Sequence, residues 1–203
     1  MPSRRSGALR RAGRLPAAAL AAALAAAGCA SDPAETADGG SDDSRYIAGD
    51  GTATEFAPEE RVEAPDHSGE TLDGEEVALS DYEGGVLVLN VWASWCGPCR
   101  SETPVLNEVH GDFADRDVEF LGVNIKDDRT AAEAFERKQE VDYPSLYDQP
   151  GEVPQAFRDT VPPQAIPSTL VIDREGRIAA RVIGETDYDQ LTGLVQTVVE
   201  EDG

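Results

Sequence analysis

Two cysteines with two residues between them, Cys96-Gly97-Pro98-Cys99, have the type and spacing to do chemistry in this chain of 203 residues. The run Val86-Leu87-Val88-Leu89-Asn90-Val91 before them reads as a strand buried on both faces. After them Val105, Leu106, Val109 and Phe113 recur at helical spacing. The pair therefore falls where a buried strand turns into a helix, with Cys96 at the helix mouth. The first N–H groups of a helix lack intrahelical partners and its dipole is positive there, so a thiolate is favoured over a thiol. A three-residue offset on one turn lets the two sulfurs close a small disulfide. Pro98 suits the first turn, where a missing N–H costs nothing.

Other uses of such a pair fit less well. A structural zinc site needs four ligands, and beyond the cysteines only His67 and His110 remain, in no paired spacing. No metal is expected. A purely structural bridge would close a loop of four residues, where little chain entropy is at stake. The strand–WCxxC–helix context reads as redox chemistry.

The segment Val91-Trp92-Ala93-Ser94-Trp95-Cys96-Gly97-Pro98-Cys99-Arg100 resembles the active-site segment of the thioredoxin superfamily. Its continuation, Ser101-Glu102-Thr103-Pro104, resembles the exported TlpA/ResA-like thiol–disulfide oxidoreductases. Thioredoxin carries a buried Asp six residues before the first cysteine, where this chain has Asn90. The TlpA-like pattern instead has an acid three residues after the second cysteine, here Glu102. The resemblance implies an α/β thioredoxin-like fold, a mixed central sheet flanked by helices, with an N-terminal β-hairpin and a central helix–strand insert. It implies catalysis by Cys96 and Cys99 without a cofactor, and a helix-kinking role for Pro104. Glu102, one turn after Cys99, is expected to be a partly buried general base for the second sulfur; the plainer alternative is an exposed first-turn Glu favoured by the helix dipole. The resemblance also places a cis bond at Ile166-Pro167, exposing the Ile166 backbone to an extended substrate chain. Trp95, Gly97 and Pro98 would flank the substrate, while Trp92 belongs to the core.

The elements that must position these residues can be read along the chain. Residues 1–28 read as a lipoprotein signal peptide: five arginines, then an apolar run from Leu15 to Ala27, shorter than the about 20 residues a bilayer span needs. Ala26-Ala27-Gly28-Cys29 resembles a bacterial lipobox with Cys29 lipidated, which also accounts for the odd cysteine. Residues 29–57, rich in Ser, Gly, Asp and Glu, read as a disordered acidic tether with an end-to-end reach of roughly 30 Å. Residues 58–203 form the thioredoxin-like domain. In it, Thr71 to Leu79 reads as a hairpin turning at Asp73-Gly74, and Gly111 as the stop of the active-site helix. Val118 to Ile125 is a buried strand. Thr130 to Glu140 is a helix with Ala131, Ala134 and Phe135 inward, and Pro144 to Asp148 and Gly151 to Arg158 are a short strand and helix. An antiparallel pair then surrounds Asp173-Arg174-Glu175-Gly176. Asp187 to Glu200 closes the fold, with Leu191, Leu194, Val195 and Val198 inward. Pro154, Pro162 and Pro163 read as loop residues, and there is no internal repeat.

Charge limits the partners. Residues 1–28 hold five of the 17 basic residues and none of the 40 acidic ones, so their removal takes the formal net charge from −23 to −28. Such a charge argues against nucleic acid and against an anionic lipid surface. The expected molecule is a monomer lipid-anchored outside the cytoplasm. By resemblance it draws electrons from a membrane thiol protein and reduces envelope disulfides such as those of apocytochrome c. The reverse direction, dithiol oxidation, uses the same residues. Copper chaperones of this fold resemble the chain but carry CxxxC and a distal His. A peroxiredoxin-like peroxidase would place its cysteine in a Pro- and Thr-flanked loop, unlike WCGPC.

Overall fold

The computed structural model describes Ile47 and residues 49–201. The expected signal peptide, Cys29 and most of the expected tether lie outside the described residues. The elements in order are β1 (Thr52–Glu55), β2 (Ser68–Glu70), β3 (Glu76–Ala78), β4 (Val86–Trp92), α1 (Gly97–Phe113), β5 (Val118–Ile125), α2 (Arg129–Gln139), β6 (Ser145–Asp148), α3 (Glu152–Ala156), β7 (Ser168–Ile172), β8 (Ile178–Ile183) and α4 (Tyr188–Glu201). Six strands form one sheet in the order β1-β8-β7-β4-β5-β6, and β2 and β3 form a separate hairpin. The β4–β5 and β5–β6 pairs are parallel, whereas β7 and β8 run antiparallel to their neighbours. This is the mixed sheet and hairpin expected from the sequence.

Period-two alternation sorts the two cores. Leu87, Leu89 and Val91 of β4 face the layer holding Phe135 of α2 and Phe157, with the two cysteines in the same cluster. Val86 and Val88 face the opposite layer, where Leu106, Val109 and Phe113 of α1 meet Leu191, Leu194, Val195 and Val198 of α4. Asn90 has the parity of Val86 and Val88 and so lies on the α1 side. That register brings a polar strand residue to the active-site helix.

Four details differ from the sequence reading. The fold begins earlier than residue 58: Thr52–Glu55 pairs antiparallel with β8, Thr52 opposite Ile183. Its short polar sequence conceals it, because an edge strand buries little. α1 runs through Gly111 to Phe113, whose ring is buried. Burying a phenylalanine side chain contributes about 1.5–3 kcal/mol, against about 1 kcal/mol for glycine inside a helix. In α2, Ala132 and Phe135 face inward while Ala131 and Ala134 are exposed. Packing of Ala132 and Phe135 into the core sets that face, and Asp128 caps the helix, its carboxylate accepting from the Ala131 N–H at 3.1 Å. Pro154 lies within α3 and not in a loop. Asp148 accepts from the N–H groups of Gly151, Glu152 and Val153 at 3.0, 2.9 and 2.8 Å, so the first turn is already satisfied where proline has no N–H to offer.

The centre of the sheet is tight at Gly122, paired with Asn90 on one side and Ser145 on the other. A Cβ there would strike the Ser145 hydroxyl and lie 2.8 Å from the Trp92 indole nitrogen. Gly122→Ala is expected to cost about 1–3 kcal/mol and to loosen Trp92. Urea unfolding followed by tryptophan fluorescence checks this; a change within about 0.5 kcal/mol would show that β6 yields freely.

Candidate active site

The site grows from the C-terminal end of β4. There the chain leaves the sheet through Ala93, Ser94 and Trp95 and enters α1, with Cys96 as its N-cap. The loop is clamped by Asp127, just beyond the parallel neighbour β5. Its carboxylate accepts from the Ser94 N–H at 2.5 Å and from the Ser94 hydroxyl at 2.9 Å. Buried Asn124 donates to the same carboxylate at 3.1 Å. Half-buried Trp95 donates from its indole nitrogen to the Lys126 carbonyl at 3.0 Å. The loop conformation ahead of Cys96 is therefore held by the residues that follow β5.

Cys96 and Cys99 are joined in a disulfide, with an S–S length of 2.08 Å and a Cα–Cα separation of 5.3 Å. The Cys99 N–H donates to the Cys96 sulfur at 3.2 Å. One helix-terminal donor thus points at the sulfur that would carry charge as a thiolate. Both cysteines are buried, Gly97 is exposed and Pro98 half-buried. Farther along α1, Pro104 leaves the Arg100 carbonyl without its usual helical donor. The Gln139 side chain from the end of α2 donates to that carbonyl at 3.1 Å, so the helix is supported where proline interrupts it.

Glu102 is not an exposed first-turn residue. With Cys99, Thr103, Leu106, Val109 and Phe113 it lies on the inward stripe of α1, and it is only 1% exposed. Asn90 donates to Oε1 at 2.8 Å and, with the other hydrogen of its amide nitrogen, to the Thr169 hydroxyl at 3.0 Å. The Thr186 N–H, from the loop before α4, donates to Oε2 at 3.2 Å. Burial pushes the Glu102 carboxyl up from its ordinary value of 4.5 to about 8, against the two donated hydrogen bonds that favour the charged form. Glu185 nearby adds a smaller push in the same direction.

The Ile166–Pro167 peptide bond is cis and lies immediately before β7. Register puts Ser168 opposite Val91, so this bond sits beside the end of β4. Ile166 shares a packed cluster with both cysteines and Trp95. The fold therefore packs Trp95, Cys96, Cys99 and Ile166 in one cluster, with Gly97, Pro98 and Glu102 on the same helix as Cys99 and Pro167 next to Ile166 in the chain, whereas Cys29 lies outside the described residues. Sequence reasoning missed Asp127, Asn124, Thr169 and Thr186. Asp127 and Asn124 had a signal, since they sit at the carboxyl end of a parallel strand next to the cysteine loop.

The profile of the AhpC/TSA family matches residues 61–181. The chain belongs to that family. It is 34% identical over 135 residues to the thiol–disulfide oxidoreductase ResA of Geobacillus kaustophilus, across 66% of this chain and 75% of that protein. With ResA of Bacillus cereus it shares 28% identity over 147 residues, 70% of this chain and 83% of the relative. The structure of a secreted thiol–disulfide isomerase from Corynebacterium glutamicum matches with a TM-score of 0.69 at 31% identity, covering 77% of this chain and 97% of that one. The resemblance carried by the WCGPC segment thus extends well beyond that segment. This AhpC/TSA-family protein is a thioredoxin-like thiol–disulfide oxidoreductase of the ResA type, with Cys96 and Cys99 as its cysteine pair.

Glu102 also makes stability depend on pH. Between about pH 4.5 and 8 the folded carboxyl holds a proton that the unfolded one has lost, so stability falls as pH rises through that window. Glu102→Gln keeps a neutral group of the same shape. Relative to the parent, the disulfide form of this variant should gain on the order of a few kcal/mol between pH 5 and 9. Chemical denaturation across that range checks it; parallel curves would place the carboxyl near its ordinary value.

Proposed function

We propose that the protein is an extracytoplasmic disulfide reductase, lipid-anchored through Cys29, in which Glu102 manages the proton of Cys99. In its reduced state the Cys96 thiolate attacks a substrate disulfide and expels one substrate sulfur as a thiolate. The resulting mixed disulfide is resolved when Cys99, giving its proton to Glu102, attacks the Cys96 sulfur and releases the second substrate thiolate. Two electrons pass to the substrate, and the Cys96–Cys99 disulfide remains to be reduced by a membrane thiol donor. Envelope proteins such as apocytochrome c are the substrate class. Their extended chains pair with the backbone of Ile166 beside Pro167, flanked by Trp95, Gly97 and Pro98.

The burial of Glu102 one helical turn from Cys99 carries this reading. A carboxyl raised to about 8 is a better proton acceptor for a thiol than one at its ordinary value of 4.5. The export half rests on the arginine-rich apolar leader, on the lipobox-like residues and on the secreted character of the Corynebacterium neighbour. Among the described residues no helix is long and apolar enough to cross a membrane.

Two outcomes test the reading. In stopped-flow reactions with a peptide disulfide, Glu102→Gln should leave attack by Cys96 intact but slow resolution more than tenfold, since a positioned base contributes typically about 10²–10⁴-fold. The mixed disulfide on Cys96 should accumulate and lose the rise in resolution rate through about pH 8. Unchanged resolution from pH 6 to 9 would remove Glu102 from the reaction. For the anchor, the parent chain should partition with membranes and the Cys29→Ser chain should not; equal partitioning would sink the lipidation proposal.

A further inference from the structure

The backbone beside Pro167 already has an occupant. Ile47 forms an isolated parallel bridge with Ala165, and its N–H donates to the Gln164 carbonyl at 2.7 Å. A parallel bridge centred on Ala165 uses the main-chain groups of its two neighbours, Gln164 and Ile166. Ile47 therefore lies along the same edge that Ile166 would offer to an incoming strand. Its side chain is 52% exposed, so main-chain pairing and not apolar burial is what places it there.

The approach of this segment is built into the fold. The Gly51 N–H donates to the Ile183 carbonyl at 2.9 Å, and the Gln190 side chain donates to the Gly51 carbonyl at 3.0 Å. A Cβ on Gly49 would run into the Ile183 carbonyl, and one on Gly184 into the backbone of Gly49 and Gly51. Two stretches of backbone thus cross in direct contact through a notch that only glycine leaves open. The Gly184 N–H donates to the Pro167 carbonyl at 2.9 Å, tying the notch to the proline loop.

We infer that Ile47 is an internal stand-in for the substrate strand: an extended polypeptide disulfide displaces it in order to pair with Ile166. This rests on the reading of Ile166 as the substrate edge. The site then takes an extended backbone, and its apparent affinity is lowered by the fraction of time it is uncovered. A small disulfide that pairs with no backbone is indifferent to the strap.

Ile47→Pro removes the N–H that bonds Gln164 and leaves β1 and the glycine notch untouched. With the reduced full chain, KM for a disulfide flanked by extended peptide should fall on the order of fivefold with kcat unchanged. Reaction with 5,5′-dithiobis(2-nitrobenzoate) should be the same in both proteins. A peptide KM that is unchanged or higher in the variant would overturn the inference, the latter by making Ile47 part of the substrate platform. Amide hydrogen exchange at Ile166 gives a readout independent of activity: it should be faster in the variant, and equal exchange would overturn the inference. Loss of reaction with the small disulfide in the parent would count instead against the redox reading, and exchange would still decide the strap.

Discussion

A carboxylate on the inward stripe of a helix is costly, and the arrangement of this site follows from accommodating it. Glu102 occupies a place on α1 that Leu106, Val109 and Phe113 fill with apolar side chains farther along. Its two oxygens are met by donors from two separate elements, Asn90 on β4 and the Thr186 backbone ahead of α4. Two neutral donors do not replace the water lost, so the proton is retained to about 8. The group that results is neutral when packed and ionisable near the thiol range, one helical turn from Cys99. In this chain the sheet register serves that one residue: Asn90 faces α1 because the parity of β4 puts it there, and its partner Thr169 lies directly opposite on β7.

The two sulfurs are treated differently by the same helix. Cys96 is the N-cap, with the Cys99 N–H directed at its sulfur, and its loop is fixed by Asp127 through Ser94. Cys99 lies within the first turn, on the stripe that also carries Glu102. In the proposed reaction, activation of the first sulfur is a matter of backbone dipoles, and that of the second a matter of a titrating side chain. The glycine notch adds a third feature, where Gly49 and Gly51 meet the backbone at the end of β8 and the Gly184 N–H donates to the Pro167 carbonyl.

Much of this was legible in the residues. The unbroken apolar run of β4, the WCGPC segment and the spacing of the α4 leucines and valines gave their elements nearly to the residue. Glu102 was legible too: positions 99, 102, 103, 106, 109 and 113 trace one helix face, which argues for burial over exposure. What the sequence concealed was long-range or weakly patterned. β1 buries little and pairs only at the sheet edge, so neither periodicity nor hydrophobicity marks it. The inward face of α2 is decided by the core it packs against, not by which alanines are spaced to look amphipathic. Thr186 contributes through its backbone N–H, which no side-chain pattern reveals.

The central claim is that Glu102 holds its proton into the thiol range because it is buried. The direct measurement is a carbon-13 titration of the Glu102 side-chain carboxyl in the reduced protein, assigned by comparison with Glu102→Gln. A midpoint near 8, shifting when the Cys96–Cys99 disulfide is formed, is the expected result. A midpoint near 4.5 in both redox states would contradict it and leave Cys99 without a proton acceptor on α1.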